Sequence, residues 1–219
     1  AEEAVLHRER IEYLAKWVAS ARLSDMSDAE VLCAWLEEGL SPLTDEVQVL
    51  RHCPAWPERR VDSLREAVSN YKGLRNIHRD VQCVTAALHK EAIILDIYLP
   101  RVQPLLQRAE DKTNELQRMR EKDEKKYRDL GIPFDWSIYH RLKMAMNELA
   151  GMILKKALEE IASELPGMGK PEEQPVLVSL VAFLFRVYKF AGGFHPEIIA
   201  DFEKFDKMVT DASECLEND

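Results

Sequence analysis

The stretch GIPFDWSIYHRLKMAMNELAGMILKKALEEIASEL, residues 131–165, decides the fold class of this chain. Its apolar residues recur every three to four positions, which is the period of an amphipathic α-helix. Asp135 is placed to cap the start of this helix, while Gly131 and Pro133 are placed to end whatever precedes it. We therefore expect a long helix over 136–165, with an inner face formed by Ile138, Leu142, Ala145, Leu149, Met152 and Ile161.

The segment before this helix keeps the same period but is far more charged. We expect a long charged helix over 102–130, with a restart of the chain at Pro100 and Pro104, because proline is tolerated only in a first turn or at a kink. A helix with so thin an apolar stripe is largely solvated or pairs with a partner along a narrow seam. Its stripe consists of Leu105, Ala109, Leu116, Met119 and Tyr127.

The amino-terminal third also reads as helices. We expect a first helix within residues 1–23, used in dimerisation together with the long charged helix. A capping box at Ser27 and Glu30 predicts a second helix, and Thr44 is expected to cap a short third one. A fourth helix follows the loop that holds Trp56, and residues 79–99 are compatible with helix. The apolar face of the second helix is predicted to contain Val31, Leu32, Trp35 and Leu36.

The most apolar run of the chain covers residues 176–190. It is shorter than a membrane span and carries Arg186 and Lys189, so we interpret it as the central buried helix. Phe183, Val187 and Phe190 are expected to be mostly buried. A flexible loop is predicted at 165–171, and a final helix is predicted to begin near Pro196 and to carry Ile198, Phe202, Phe205 and Val209.

These patterns predict an all-α chain, an elongated multi-helix bundle with long helices. Its eight glycines and ten prolines are too few for an all-β fold built from many turns. The 219 residues suit a single helical domain over 1–219. Because no capping residue precedes Ala1, we expect this domain to be a fragment of a longer protein.

Composition argues against several classes of function. The net charge of −9 makes the chain a poor ligand for nucleic acid. The four cysteines form no CxxC pair and the six histidines are scattered, so neither a metal site nor a cofactor is expected. No residue pattern typical of catalysis is present, and we predict a non-enzymatic protein. The wide cysteine spacing and the absence of a signal peptide indicate a reducing, cytoplasmic location without membrane insertion by this chain.

A basic cluster lies within the long charged helix, where it is interleaved with acidic residues. One interpretation is an ordinary solvated helix face. The other is a docking surface for an acidic filament, because charge patches steer association. The cluster contains Arg118, Arg120, Lys122, Lys125, Lys126 and Arg128.

Several motifs resemble the carboxy-terminal domain of the plant "chloroplast unusual positioning" protein family. They are WLEE at 35–38, LRH at 50–52 leading to WPE at 56–58, LREA at 64–67, YRDLGIPFDW at 127–136 and FRVYKFAGGF at 185–194. Residues 79–99 and the helix after residue 136 match less closely, as in a divergent member or a paralogue. The motif residues that carry the resemblance are Trp56, Pro57, Gly131, Pro133, Trp136, Phe185, Arg186, Phe190, Gly192, Gly193 and Phe194.

The resemblance implies a fold and a function. Family members position and anchor chloroplasts by building short actin filaments at the envelope. Their domain is similar to the formin homology two domain, an all-helical actin nucleator that works as a dimer. The implied partners are actin, a second copy of the chain, and profilin bound through an upstream proline-rich segment. The implied location is the cytosolic face of the chloroplast outer envelope.

A second function stays open at this point. Related plant proteins with the same domain are linked to microtubule organisation. The alternative is therefore a microtubule-associated or scaffolding dimerisation module without nucleating activity. Both functions need long helices and surface charge, so the residues alone do not separate them.

Overall fold

A computed structural model describes residues 5–89, 95–164 and 175–217, including their side chains except those of 163–164 and 209–217. This part of the chain contains eight helices and no strand, so the prediction of an all-α fold is confirmed. The predicted loop at 165–171 and the side chain of Val209 lie outside it. In chain order the helices are α1 (Arg8–Ser20), α2 (Met26–Leu40), α3 (Glu46–Leu50), α4 (Glu58–Leu88), α5 (Leu95–Asp129), α6 (Ser137–Glu164), α7 (Pro175–Ala191) and α8 (Pro196–Glu217).

The chain divides into two compact units. The first unit comprises Ala1–Gly73 with Glu115–Trp136, and the second comprises Leu74–Asn114 with Ser137–Asp219. Helices α4 and α5 contribute residues to both units. The expectation of one domain over 1–219 stays a prediction, and each unit is described by itself.

The core of the first unit forms where α1 and α2 pack together. Leu14 and Val18 of α1 join Leu36 and Leu40 of α2, and Val61 of α4 completes this buried cluster. Burial of aliphatic side chains is the main favourable term for such a unit. The partly buried side chains packed against it are Leu32, Trp35, Leu43, Leu50 and Trp56.

The starts of α2 and α3 differ from the sequence-based expectation. Asp25, not Ser27, caps α2, since its carboxylate accepts from the backbone N–H groups of Ser27 and Asp28 at 2.8 and 3.0 Å. Asp45, not Thr44, caps α3 by accepting from the N–H of Gln48 at 3.0 Å. A carboxylate at this position also complements the positive end of the helix, which a hydroxyl does not.

The core of the second unit is built around α6, which packs against both α7 and α8. Leu142, Leu149 and Ile153 of α6 are fully buried, as are Phe183 and Val187 of α7. The predicted long helix over 136–165 is therefore confirmed as Ser137–Glu164. The central position expected for α7 belongs to α6.

The long charged helix begins earlier than expected. Helix α5 starts at Leu95, so Pro100 and Pro104 lie inside it and do not mark a restart. Each proline removes one backbone hydrogen bond from the helix interior. Burial of Leu99 and Val102 on either side of Pro100 stabilises this first part of α5 against that loss.

Helix α7 is not buried all round. Phe183 and Val187 are buried as predicted, whereas Phe190 is only half-buried. The opposite face of the helix, including Phe185, is exposed, because α6 covers only one side. Among the described residues, no helix combines the length and the apolar character that crossing a bilayer requires.

Candidate interaction surfaces

The basic cluster of α5 is only partly available to a partner. Lys126 is held by the first unit: its Nζ lies 2.8 Å from Glu66 Oε2 and 3.0 Å from Asp123 Oδ1. Asp123 is buried, so Lys126 neutralises a charge that would otherwise lie unpaired inside the unit. Burial by itself lowers the pKa of Lys126, but the hydrogen bonds to Glu66 and Asp123 outweigh it and the pKa is raised.

Two further members of the cluster also have partners within the first unit. The guanidinium of Arg120 lies 5.4 Å from the centre of the Trp136 ring, a cation–π distance. Arg128 pairs with Glu124 one turn away at 3.2 Å. These contacts use the charge or the planar face of the side chain internally, so neither arginine is a free docking group.

The remaining three cations form a distinct free face. Arg118, Lys122 and Lys125 are exposed, and they make no ion pair with any described residue. Their spacing of i, i+4 and i+7 places them on one side of α5. We call Arg118, Lys122 and Lys125 the cationic face. It is the part of the predicted docking surface that the structure leaves open.

The motif at 127–136 forms an aromatic cluster at the end of α5. The Tyr127 ring stacks on Phe134 at 5.5 Å, and Phe134 contacts Trp136 at 4.4 Å. Tyr71 of α4 meets Phe134 edge-to-face at 5.9 Å. Gly131 turns the chain with a φ of +64°, a conformation that glycine adopts without steric cost. This motif therefore stabilises the first unit by packing.

Trp56 and Pro57 have a similar structural role in the first unit. Trp56 packs half-buried against the α1–α2 core. The carbonyl of Pro57 accepts the N–H of Val61 at 3.0 Å and so begins α4. In the first turn of α4, Arg60 donates to the carbonyls of Ala19 and Ala21 at 2.7 and 2.6 Å, which ties α4 to the end of α1.

The motif at 185–194 ends α7 with a glycine pair. The N–H groups of Gly192 and Gly193 both donate to the carbonyl of Tyr188 at 3.0 Å, with φ values of +83° and +131°. Asn147 of α6 donates its Nδ2 to the carbonyl of Gly193 at 3.1 Å. The Tyr188 ring meets the half-buried Phe194 edge-to-face at 5.4 Å. This geometry is typical of a helix end.

Arg186 fixes the rotation of α7 within the second unit. Its Nη2 donates to Gln107 Oε1 at 2.7 Å and to the carboxylate of Glu110, both on α5. The buried residues Phe183 and Val187 lie on the adjoining side of the helix. With these positions set, the face that carries Phe185 points away from the core.

An apolar row runs along that exposed face of α7. Its members are Val178, Val181, Phe185 and Tyr188, with exposed fractions of 59%, 42%, 60% and 48%. We call these four residues the α7 seam. The Nζ of Lys189 lies 5.1 Å from the centre of the Phe185 ring at its edge. Sequence reasoning missed the seam, because a helix that is apolar on every side gives no sign of which side is covered.

A second exposed apolar feature lies on the α1–α2 pair. Tyr13, Trp17 and Trp35 meet edge-to-face, with ring centres 6.1 to 6.5 Å apart. They border a shallow depression of about 540 Å³ together with Val31. Val31 is 67% exposed, so its predicted place on the apolar face of α2 is wrong. The buried face of α2 instead contains Met26, Ala29, Cys33, Leu36 and Leu40.

The histidines are less scattered in space than in sequence. In the second unit, His78, His89, His140 and His195 border one open depression of about 850 Å³. Burial, with a smaller effect of Arg141, lowers the pKa of His78. Across the described residues, no group of three or more histidine, cysteine, aspartate or glutamate side chains is arranged to hold a metal ion.

Comparison of the chain with known proteins identifies a family model and a plant relative that it resembles. A family model described as the IPGAL1-like C-terminal domain matches residues 64–218. A plant relative, "Uncharacterized protein At4g04980" of Arabidopsis thaliana, is 26% identical over 199 residues. The alignment covers 88% of this chain and 27% of the relative, so the chain spans about a quarter of that protein's length. The α7 seam and the cationic face both lie inside the region that the family model matches.

Proposed function

The chain belongs to the IPGAL1-like C-terminal domain family, and we propose that it is a non-catalytic domain that binds actin and promotes filament nucleation and assembly. The observation that carries the proposal is the cationic face of α5, in which Arg118, Lys122 and Lys125 share one side of a helix and form no ion pair within the part of the chain that the structure describes. Actin is acidic, and a local patch of positive charge raises the rate of encounter with an acidic surface.

The local charge matters more here than the total charge. The chain has a net charge of −9, which opposes association with an acidic filament at long range. At about 0.15 M salt, exposed charges more than about 8 Å apart are largely screened from one another. The three cations therefore act on a filament at contact, while acids more than about 8 Å from them are largely screened.

The family resemblance gives the remainder of the proposal. The motifs at 127–136 and 185–194 are among those through which the chain resembles the chloroplast unusual positioning family. Nucleation needs subunits held together against their entropy of association, and a dimer supplies this as effective concentration. On this proposal two copies act together, an upstream segment delivers profilin-bound actin, and the whole protein works at the cytosolic face of the chloroplast outer envelope.

Cosedimentation with actin filaments tests the binding step. The informative variant is the triple reversal Arg118→Glu, Lys122→Glu and Lys125→Glu, which leaves Lys126 and its contacts intact. A matched control reverses three exposed cations of α4: Arg59→Glu, Lys72→Glu and Arg79→Glu. We expect the first variant to bind about tenfold more weakly than the wild type and the control to bind within about twofold of it. Added salt should weaken the wild type more than the first variant.

Microtubules provide the competing arm of the same experiment. If the wild-type chain pellets with microtubules and not with actin filaments, the actin proposal fails and the microtubule-associated module takes its place. If it pellets with actin filaments but the two triple variants bind equally, the cationic face is not the contact surface.

A further inference from the structure

The α7 seam has the spacing of a coiled-coil core. Val178, Val181, Phe185 and Tyr188 are separated by three, four and three residues. This is the a, d, a, d pattern by which one helix packs along another. All four side chains are exposed, so none of the helices that the structure describes packs along the seam.

The size of the seam also points to a helix as its occupant. Ten residues separate Val178 from Tyr188, which corresponds to about 15 Å of helix. Four apolar side chains in one row expose a few hundred Å², the range in which surface patches on monomers are often functional. A globular partner of standard size would need about 800 Å² on each side, far more than this row provides.

The charges on α7 indicate which charged residues should flank the apolar stripe of the bound helix. Its two charged residues, Arg186 and Lys189, are both basic. Arg186 is occupied by Glu110 and Gln107, which leaves Lys189 at the edge of the seam beside Phe185. In the heptad register Lys189 takes an e position, where it faces a flanking residue of the opposite helix. An acidic flanking residue on the opposite helix would therefore complement the charge of Lys189.

We propose that the α7 seam binds an amphipathic helix of a partner protein, with an apolar a/d stripe flanked by aspartate or glutamate. The site lies within the second unit and shares no residue with the cationic face of α5. It therefore holds whether or not the chain binds actin.

Two designed peptides test the proposal on the whole chain. Both contain three heptads with leucine at a and d, and they differ only in having glutamate or lysine at e and g. Each carries a fluorescent label and is kept at nanomolar concentration so that it does not self-associate. Fluorescence polarisation should show the glutamate peptide binding at least about fivefold more tightly than the lysine peptide, with a preference that shrinks as salt is added.

Substitutions in the α7 seam test whether the glutamate peptide binds there. Phe185→Ser and Tyr188→Ser should each weaken the glutamate peptide about tenfold, as expected for central aromatic contacts. Val47→Ser is the matched control, since Val47 is an equally exposed apolar residue on α3 of the first unit. Lys189→Glu should reverse the preference, so that the lysine peptide binds more tightly. Circular dichroism confirms that each variant keeps its helical content.

Three results would overturn the proposal. The first is equal binding, or no binding, of the two peptides to the wild type. The second is unchanged binding by Phe185→Ser or an unchanged preference in Lys189→Glu. The third is a concentration-dependent dimer in light scattering that Phe185→Ser abolishes, because the seam would then be occupied by a second copy of the chain.

Discussion

Arg186 on α7 contacts the carboxylate of Glu110 on α5 through its guanidinium, and Gln107 one turn from Glu110 accepts from the same nitrogen. The two residues are 76 positions apart in sequence, and their contact joins α7 to the part of α5 that belongs to the second unit. Its position on α7, between the buried Val187 and the exposed Phe185, determines which side of the helix faces solvent. Loss of the ion pair should therefore weaken the contact that keeps the α7 seam facing solvent.

We predict a measurable coupling between these two residues. A double-mutant cycle of Arg186→Ala and Glu110→Ala, read by urea unfolding, should give a coupling energy of about 1 kcal/mol. The reference pair is Arg128 and Glu124, an i, i+4 pair on the solvated part of α5. Its coupling is expected to be about 0.3–0.5 kcal/mol. Equal coupling in the two cycles would contradict the anchoring role of Arg186.

Truncation of a side chain should cost much more stability on the buried face of α7 than on its exposed face. Phe183→Ala removes a fully buried ring and should destabilise the chain by about 3–5 kcal/mol. Phe185→Ala, two positions away, removes a ring that is mostly in solvent and should change the stability by less than about 0.5 kcal/mol. Thermal or urea unfolding measures both. A large loss in Phe185→Ala would mean that the face carrying the seam is covered.

Alkaline pH should destabilise the first unit through Lys126 and Tyr127. The pKa of Lys126 is raised above its ordinary 10.5, since its hydrogen bonds to Glu66 and Asp123 outweigh the effect of burial. Burial, together with the charges of Glu66 and Asp123, raises the pKa of Tyr127 above 10.0. Both groups bind their protons more tightly in the folded state, so this stability is fully present below the unfolded pKa values and is lost as the pH rises through the folded ones.

The measurement compares the free energy of unfolding at about pH 8 and about pH 10.5. The wild type should lose stability over this interval, and a Lys126→Gln, Tyr127→Phe double variant should lose less of it. The same double variant should be less stable than the wild type at the lower pH, by about 1–3 kcal/mol, since it leaves Asp123 buried without a cation. Parallel pH profiles for the two proteins would refute the assignment to this pair.

Replacement of Gly131 should destabilise the chain because of its backbone conformation and not because of a steric clash. Its φ of +64° is unfavourable for residues with a Cβ, while a Cβ built there would meet only Arg60 Nη2 at 3.8 Å, an ordinary contact. Gly131→Ala should therefore destabilise the chain by about 1 kcal/mol, and Gly131→Asn by less, because asparagine tolerates this conformation better. Unfolding curves for the two variants check the order. A larger loss for asparagine than for alanine would indicate a steric cause instead.

Some elements could be predicted because local signals agreed with the tertiary structure. The end of α5 and the start of α6 carry a glycine with positive φ followed by a proline and an aspartate within five residues, and the structure places the boundaries there. The periodic apolar face of α6 is buried as expected at Leu142 and Leu149, whereas Met152 is only half-buried and the neighbouring Ile153 is fully buried instead. In such segments the same residues determine both the local conformation and the packing.

Other features could not be predicted, because they depend on contacts distant in sequence. The sequence predicts the start of α5 too late in the chain, because Pro100 and Pro104 have the local signature of a break, while tertiary burial keeps the helix continuous from Leu95. The sequence does not show which cations of the basic cluster are free and which are paired. The partner of Lys126, for example, is Glu66, which lies 60 residues away. The depression bordered by the four histidines could not be predicted either, because residues of α4, α6 and the start of α8, which are distant in sequence, form it together.

The lag time of fluorescent actin polymerisation tests the proposed function most directly. Purified chain is added to actin monomers, alone and fused to a two-stranded coiled coil that enforces a dimer, with the triple reversal of Arg118, Lys122 and Lys125 as the matched variant. We predict a lag that shortens with increasing concentration of the enforced dimer and returns toward that of actin alone in the reversed variant. An unchanged lag with both forms of the wild-type chain, together with no cosedimentation with actin filaments, would contradict the proposal that this domain nucleates actin.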